Sequence, residues 1–173
     1  PNAEAKIYAL YPGLSGFGGT GNRFNLAQEL VNPSLNWRAV FQSNSWGSAQ
    51  TTQYTTVSAE MDRIIYTSDL LILNSQSNLG TQSSRPEAWA KNVVGIGGIN
   101  GQNTVTRADD TWGGASIGPA ADGRLKPDLS NLYDSVRTPS NSSNTAYTNT
   151  FGGTSAATPI TAGHFALLFQ MWH

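Results

Sequence analysis

The segment with the strongest chemical character is Phe151-Gly152-Gly153-Thr154-Ser155-Ala156-Ala157-Thr158-Pro159. Its two glycines permit a tight backbone turn. Small residues surround a single serine, and proline fits only a helix's first turn or a kink. A helix is therefore expected to begin near Thr154. Ser155 then stands at the helix N-terminus, where its backbone N–H is free and negative charge is favoured. A nucleophilic serine needs these conditions: an exposed Oγ, and an N–H aimed at the oxyanion its attack creates. The same residues also describe an N-capping serine after a glycine turn. The segment alone leaves both readings open.

Serine nucleophiles of this kind need a His as general base and an acid to orient it. No His precedes Ser155, and no Asp or Glu follows it. His164 lies nine residues further along the same expected helix, about 13 Å of rise. It cannot reach Ser155 in its own subunit and reads as a helix-face or core residue. His173 is terminal. Cysteine is absent, which excludes disulfides, thiolate zinc sites and a cysteine nucleophile. Two His residues exclude a three-histidine metal site. Gly95-Ile96-Gly97-Gly98 is glycine-rich but leads into Ile99-Asn100-Gly101 instead of a helix, so no dinucleotide site is expected.

The elements that must position Ser155 follow from apolar patterning. The chain has 173 residues, enough for one domain, 1–173, with a sizeable core. No internal repeat or interdomain linker interrupts it. Charged residues make up 12% and the net charge is -1, which gives no electrostatic footprint for nucleic acid or anionic lipid. No apolar run reaches the ~18 residues of a membrane span. Short strands are expected at Ala5–Leu10, Arg38–Ser45, Asp69–Asn74 and Asn92–Ile99. A glycine-rich loop is expected at Tyr11–Gly21. Helices are expected at Asn22–Val31, with Asn22 or Asn25 as cap, and at Thr56–Thr67, with Ser58 as cap. Strands alternating with helices imply a three-layer α/β fold with a mainly parallel sheet and right-handed crossovers. Beyond Asn100 periodicity fades. Short strands at Thr104–Arg107 and Thr148–Phe151, a loop at Ser140–Thr145, and a closing helix at Thr154–Trp172 are expected.

The segment around Ser155 resembles the Gly-Thr-Ser-X-Ala-X-Pro signature of subtilisin-like serine proteases, the subtilases. Further landmarks fall in that family's order. Pro1-Asn2-Ala3 with Lys6–Leu10 resembles the strand after Gly-Val-Ala-Pro. Asn44-Ser45-Trp46-Gly47 resembles the Ser-Leu-Gly segment lining the pocket for the substrate residue before the scissile bond. Leu73 to Gly80 (Leu-Asn-Ser-Gln-Ser-Asn-Leu-Gly) resembles Ala-Ala-Gly-Asn-X-Gly, whose Asn completes the oxyanion hole; here that is Asn78. Asn92–Gly97 resembles the next strand, and Lys126-Pro127-Asp128-Leu129 resembles Lys-Pro-Asp-Val. There are two departures. Ser130-Asn131-Leu132 replaces Ala-Pro-Gly, and Ser77 replaces the Gly before Asn78, which is tolerable at negative φ.

The resemblance implies a serine endopeptidase with a subtilisin-like fold, incomplete at its N-terminal side. Ser155 would be the nucleophile and Asn78 an oxyanion donor, with Ser45, Trp46, Gly47, Ser77 and Thr154 contacting a peptide or protein substrate. Trp46 reads equally as a pocket wall or as a core aromatic. In subtilases the Asp and His motifs precede the Gly-Val-Ala-Pro segment. This chain is therefore expected to be inactive until the upstream half of the domain, or a second chain, supplies base and acid and covers an otherwise raw sheet edge. The resemblance also implies secretion and no required cofactor. Calcium is frequent in the family, with Asp109, Asp110 and Asp122 as the available acids, although adjacent loop acids read more simply as solvated. Two alternatives remain: a non-catalytic pseudoprotease or peptide-binding module, and a sedolisin-like acid peptidase, which places an Asp where this chain has Asn78.

Overall fold

The computed structural model describes residues 22–35 and 38–172. The strand expected at Ala5–Leu10, the Pro1–Ala3 landmark, the loop at Tyr11–Gly21 and His173 lie outside the described residues. Helix α1 spans Asn22–Val31 and α2 spans Thr56–Ser68. Strands β1 (Phe41–Asn44), β2 (Leu71–Ser75), β3 (Val94–Ile99) and β4 (Leu129–Leu132) form one parallel sheet in that order. A hairpin of β5 (Val136–Pro139) and β6 (Tyr147–Phe151) leads into α3, Thr154–Trp172.

The side-chain period of two splits the sheet's core between its faces. Ile72 points to α1 and α2, where Ala27, Met61, Ile64 and Val93 enclose it. Leu71, Leu73 and Ile96 point the other way, onto Ala157, Ala162 and Phe165 of α3. Helices thus cover both faces, and α3 touches all four strands. Phe41 at the outer strand stacks on Phe169, ring centroids 6.1 Å apart.

Element ends differ from the sequence expectations for local reasons. The cap of α2 is Thr55, whose Oγ1 accepts from Val57 N–H at 3.2 Å. Ser58 occupies the reciprocal place, its Oγ accepting from Thr55 N–H at 3.1 Å. Asp69 closes α2 in a left-handed conformation, φ 47°, so β2 starts at Leu71 instead of Asp69. β3 starts at Val94 because the N–H groups of Lys91 and Asn92 are drawn to the Asp62 carboxylate, at 3.0 and 2.7 Å. The expected strand at Thr104–Arg107 is absent; Thr104 Oγ1 instead closes a turn onto Asp109 at 2.9 Å. β4 and β5 were not expected. β4 is a short edge strand whose Leu-Ser-Asn-Leu carries no alternating pattern.

Candidate active site

Ser155 is the second residue of α3 and is half-buried. The turn before it depends on glycine. Gly153 has φ +81°, and a Cβ there would lie 2.9 Å from Asn78 Nδ2. Gly153 N–H is fixed to Tyr133 O at 2.6 Å. In the first turn of α3, Thr154 N–H donates to Asn78 Oδ1 at 2.8 Å, and the N–H groups of Ala156 and Ala157 donate to Gly153 O at 2.9 and 3.3 Å. Between them, the Ser155 N–H has no acceptor among the described residues.

Asn78 stands beside that free N–H. Its Oδ1 also accepts from Thr154 Oγ1 at 3.0 Å. With two donors on Oδ1, the amide orientation is fixed and Nδ2 is turned outward. Asn78 itself is solvent-exposed. Thr154 is fully buried, and its hydroxyl also accepts from Ser77 N–H at 3.2 Å. Its expected contact with substrate is thereby corrected: Thr154 orients Asn78 from inside. The condition placed on Ser77, a negative φ, is not met. Its φ is +114°, a region costly for a side-chain-bearing residue. Three hydrogen bonds hold it there: its N–H to Thr154, its carbonyl from Ser116 N–H at 2.7 Å, and its Oγ from Gln50 Nε2 at 3.0 Å.

Pro159 has a specific effect on Ser155. In an unbroken helix the N–H four residues on would bond to the Ser155 carbonyl, and proline has none. Ser45 Oγ takes its place, donating to Ser155 O at 2.9 Å. In return Ser155 Oγ donates to Ser45 O at 3.3 Å. The end of β1 is thus tied directly to the serine. Trp46 is half-buried, and the Arg23 guanidinium of α1 lies 5.2 Å over its ring.

Gly47 is enclosed by residues the sequence did not single out. A Cβ there would lie 2.8 Å from Arg85 Cδ and 2.8 Å from Glu87 Oε2. Arg85 Nη1 donates to the carbonyls of Gly47 and Ser48 at 2.9 and 2.8 Å. Glu87 is fully buried; it accepts from Ser48 N–H at 3.0 Å and from Arg23 Nη2 at 2.9 Å. Two opposite charges thus grip one peptide from both sides. The available signal was Arg85-Pro86-Glu87 set directly before the apolar Ala88-Trp89-Ala90.

Among the described residues, base and acid are not found beside Ser155. The histidine among the described residues, His164, is exposed on α3 with Nδ1 2.9 Å from Ile160 O. Each of the acids considered for calcium has a protein partner. Asp109 accepts from Thr104, Asp110 pairs with Arg107 at 3.5 Å, and Asp122 pairs with Arg124. The Arg124 backbone N–H, ahead of its guanidinium, holds the Asp122 carboxyl below the usual aspartate range. Among the described residues, no three acidic or imidazole groups gather as a metal site.

Residues 2–172 match the model of a family described as the subtilase family. No curated protein matches the chain. Among solved structures, it is similar to the prenylagaramide maturation protease PagA, with TM-score 0.64 and 18% identity over 87% of this chain and 49% of that one. It is also similar to sphericase, with TM-score 0.61 and 18% identity over 82% and 46%. A third likeness is to the PatG macrocyclase in complex with peptide, with TM-score 0.60 and 14% identity over 82% and 39%. The chain spans about half the length of these structures or less.

Proposed function

This chain belongs to the subtilase family, and from that premise we propose that it carries the nucleophile-bearing part of a serine endopeptidase site. Ser155 Oγ attacks a peptide carbonyl, and the bond to the leaving amine breaks to give an acyl-enzyme that water then hydrolyses. The developing oxyanion takes two donors, the Ser155 N–H and Asn78 Nδ2. The observation that carries this reading is their pairing: two donors with no acceptor among the described residues, held side by side, one by the helix start and one by Thr154.

The proton on Ser155 Oγ needs an acceptor stronger than the Ser45 carbonyl it now faces at 3.3 Å. We assign that role to a His, oriented by an Asp, on the upstream half of the same catalytic domain or on a second chain. The outer edge of β1 supports the placement. β1 pairs with β2 on one side only among the described residues, and its end is tied to Ser155. A strand added there would arrive beside the nucleophile. The reading requires no cofactor, and the substrate is an extended peptide running along Ser45–Gly47.

A serine-directed phosphonate tests the reading. Ser155 is expected to be labelled in the presence of the upstream segment and to stay unlabelled without it. Equal labelling of both would end the complementation argument. One observation favours a second reading, a non-catalytic peptide-binding module: among the described residues the one imidazole is far along α3. Peptide binding without labelling in the full-length protein would select it. The neutral Asn78 argues against a sedolisin-like acid site.

A further inference from the structure

Arg85 lies where the two segments that flank Ser155 are closest to being bridged. One segment, Ser45–Ser48, leaves the carboxyl end of β1. The other, Gln76–Asn78, leaves the carboxyl end of the neighbouring β2. In parallel sheets, ligands bind in the crevice outside such ends. Both segments touch the start of α3: Ser45 bonds to Ser155, and Ser77 and Asn78 bond to Thr154. Both also touch Arg85. Its N–H donates to Gln76 O at 3.2 Å, its stem packs against Gly47, and its Nη1 reaches the Gly47 and Ser48 carbonyls. The crevice is therefore bounded by the serine at one end and a guanidinium at the other.

That guanidinium is only partly used. Nη1 has its two carbonyls, but Nε and Nη2 have no acceptor among the described residues. No ion pair among the described residues includes Arg85. The neighbouring acid cannot serve it, because Glu87 is held by Arg23 and Ser48. A half-buried arginine therefore presents the edge that binds a carboxylate in a two-pronged fashion.

We propose that Arg85 is a specificity residue, selecting substrates with Glu or Asp on the acyl side of the scissile bond. This rests on the endopeptidase reading above. A carbonyl poised at Ser155 with its oxygen toward Asn78 belongs to the residue whose side chain enters the crevice between the two segments. The far end of that crevice offers a positive charge that no ion pair among the described residues includes. A Lys or Arg side chain would meet like charge there. A Gln would meet the same donors without the charge.

The test compares two peptide nitroanilides that differ only in Glu or Gln at the acyl position, using the full-length protein with its base-bearing segment. The expected kcat/KM ratio is at least tenfold in favour of Glu. In Arg85→Gln the ratio is expected to fall to near one, and in Arg85→Lys to be partly kept. The ratio is internal to each preparation, so partial loss of folded protein does not move it. A wild-type ratio near one, or a ratio unchanged in Arg85→Gln, overturns the proposal. It is also overturned if free-acid peptides ending in Ala inhibit far better than their amides while the ratio stays near one, since Arg85 would then read a product terminus. Absence of both cleavage and phosphonate labelling would instead count against the endopeptidase reading itself.

Discussion

The two ends of α3 are built from similar apolar sequence but meet different surroundings. At its start, Thr154, Ala156, Ala157 and Thr158 are all buried to within 1%. Among the described residues, the N–H groups of Gly153, Thr154, Ala156 and Ala157 there have fixed acceptors, whereas the Ser155 N–H has none. At its end, Leu167, Leu168, Met171 and Trp172 are between 56% and 90% exposed. The first half fixes a few atoms tightly, using small residues that let the backbone come close to the sheet. The second half presents large apolar groups that the described residues leave uncovered. Precision at the site therefore depends on one half of the helix, and substitutions in the two halves should behave very differently.

The largest expected effect is at the site end. Asn78→Ala removes the proposed oxyanion donor but leaves Thr154 buried behind it. Turnover by the complemented enzyme should fall by about 2.7–4 kcal/mol in barrier, the scale known for this kind of donor in subtilisin, itself a subtilase. KM should change little. A change confined to KM would remove the oxyanion role and leave Asn78 as a mere partner of Thr154.

Next comes packing. Ala157 is fully buried against Leu73 and Ile96. Ala157→Leu should cost about 1–3 kcal/mol through overpacking. That is a drop of roughly 2–4 °C in melting temperature for each kcal/mol in a chain of this size. If the melt did not move, the contrast between the two ends of α3 would be gone.

Much of this contrast was legible in the sequence. Gly152-Gly153 permit the tight turn and Pro159 is confined to the early part of a helix or a kink, which together place the helix start near Thr154. The runs in β2 and β3 are legible because a buried parallel strand is apolar on both faces. What was not legible depends on distant partners. Nothing local says that Leu129–Leu132 pairs with β3, since its residues are half-exposed and unpatterned. Nothing local turns Thr154 inward, because that follows from Asn78, 76 residues earlier. The Arg85–Glu87 grip on Gly47 and Ser48 is likewise a tertiary event, as is the approach of Arg23 to the Trp46 ring. The sign of φ at Ser77 was not legible, because the resemblance compares residue types, whereas the conformation is held by bonds to Thr154, Ser116 and Gln50.

Ser77 supplies a smaller prediction on the site side. Ser77→Gly relieves the backbone but loses the Gln50 bond; Ser77→Ala loses the bond and keeps the strain. The glycine variant should exceed the alanine variant in stability by about 1 kcal/mol, read from paired chemical denaturations. Equal stabilities would mean that the positive φ carries no cost here.

The smallest effect belongs to the far end of α3. Leu168 is 56% exposed and Met171 is 83% exposed. Leu168→Lys and Met171→Lys remove little buried surface and place no charge in the core. Each should shift stability by no more than about 0.5 kcal/mol, against the larger loss expected for Ala157→Leu on the same helix. Turnover should be unchanged as well, since the polar contacts that fix Ser155 involve Ser45, Ser77, Asn78 and Gly153, all far from these side chains. A marked loss of stability in either lysine variant would show that the end of α3 is buried in the working protein. The contrast would then be one between two packed surfaces, only one of which is formed by the described residues.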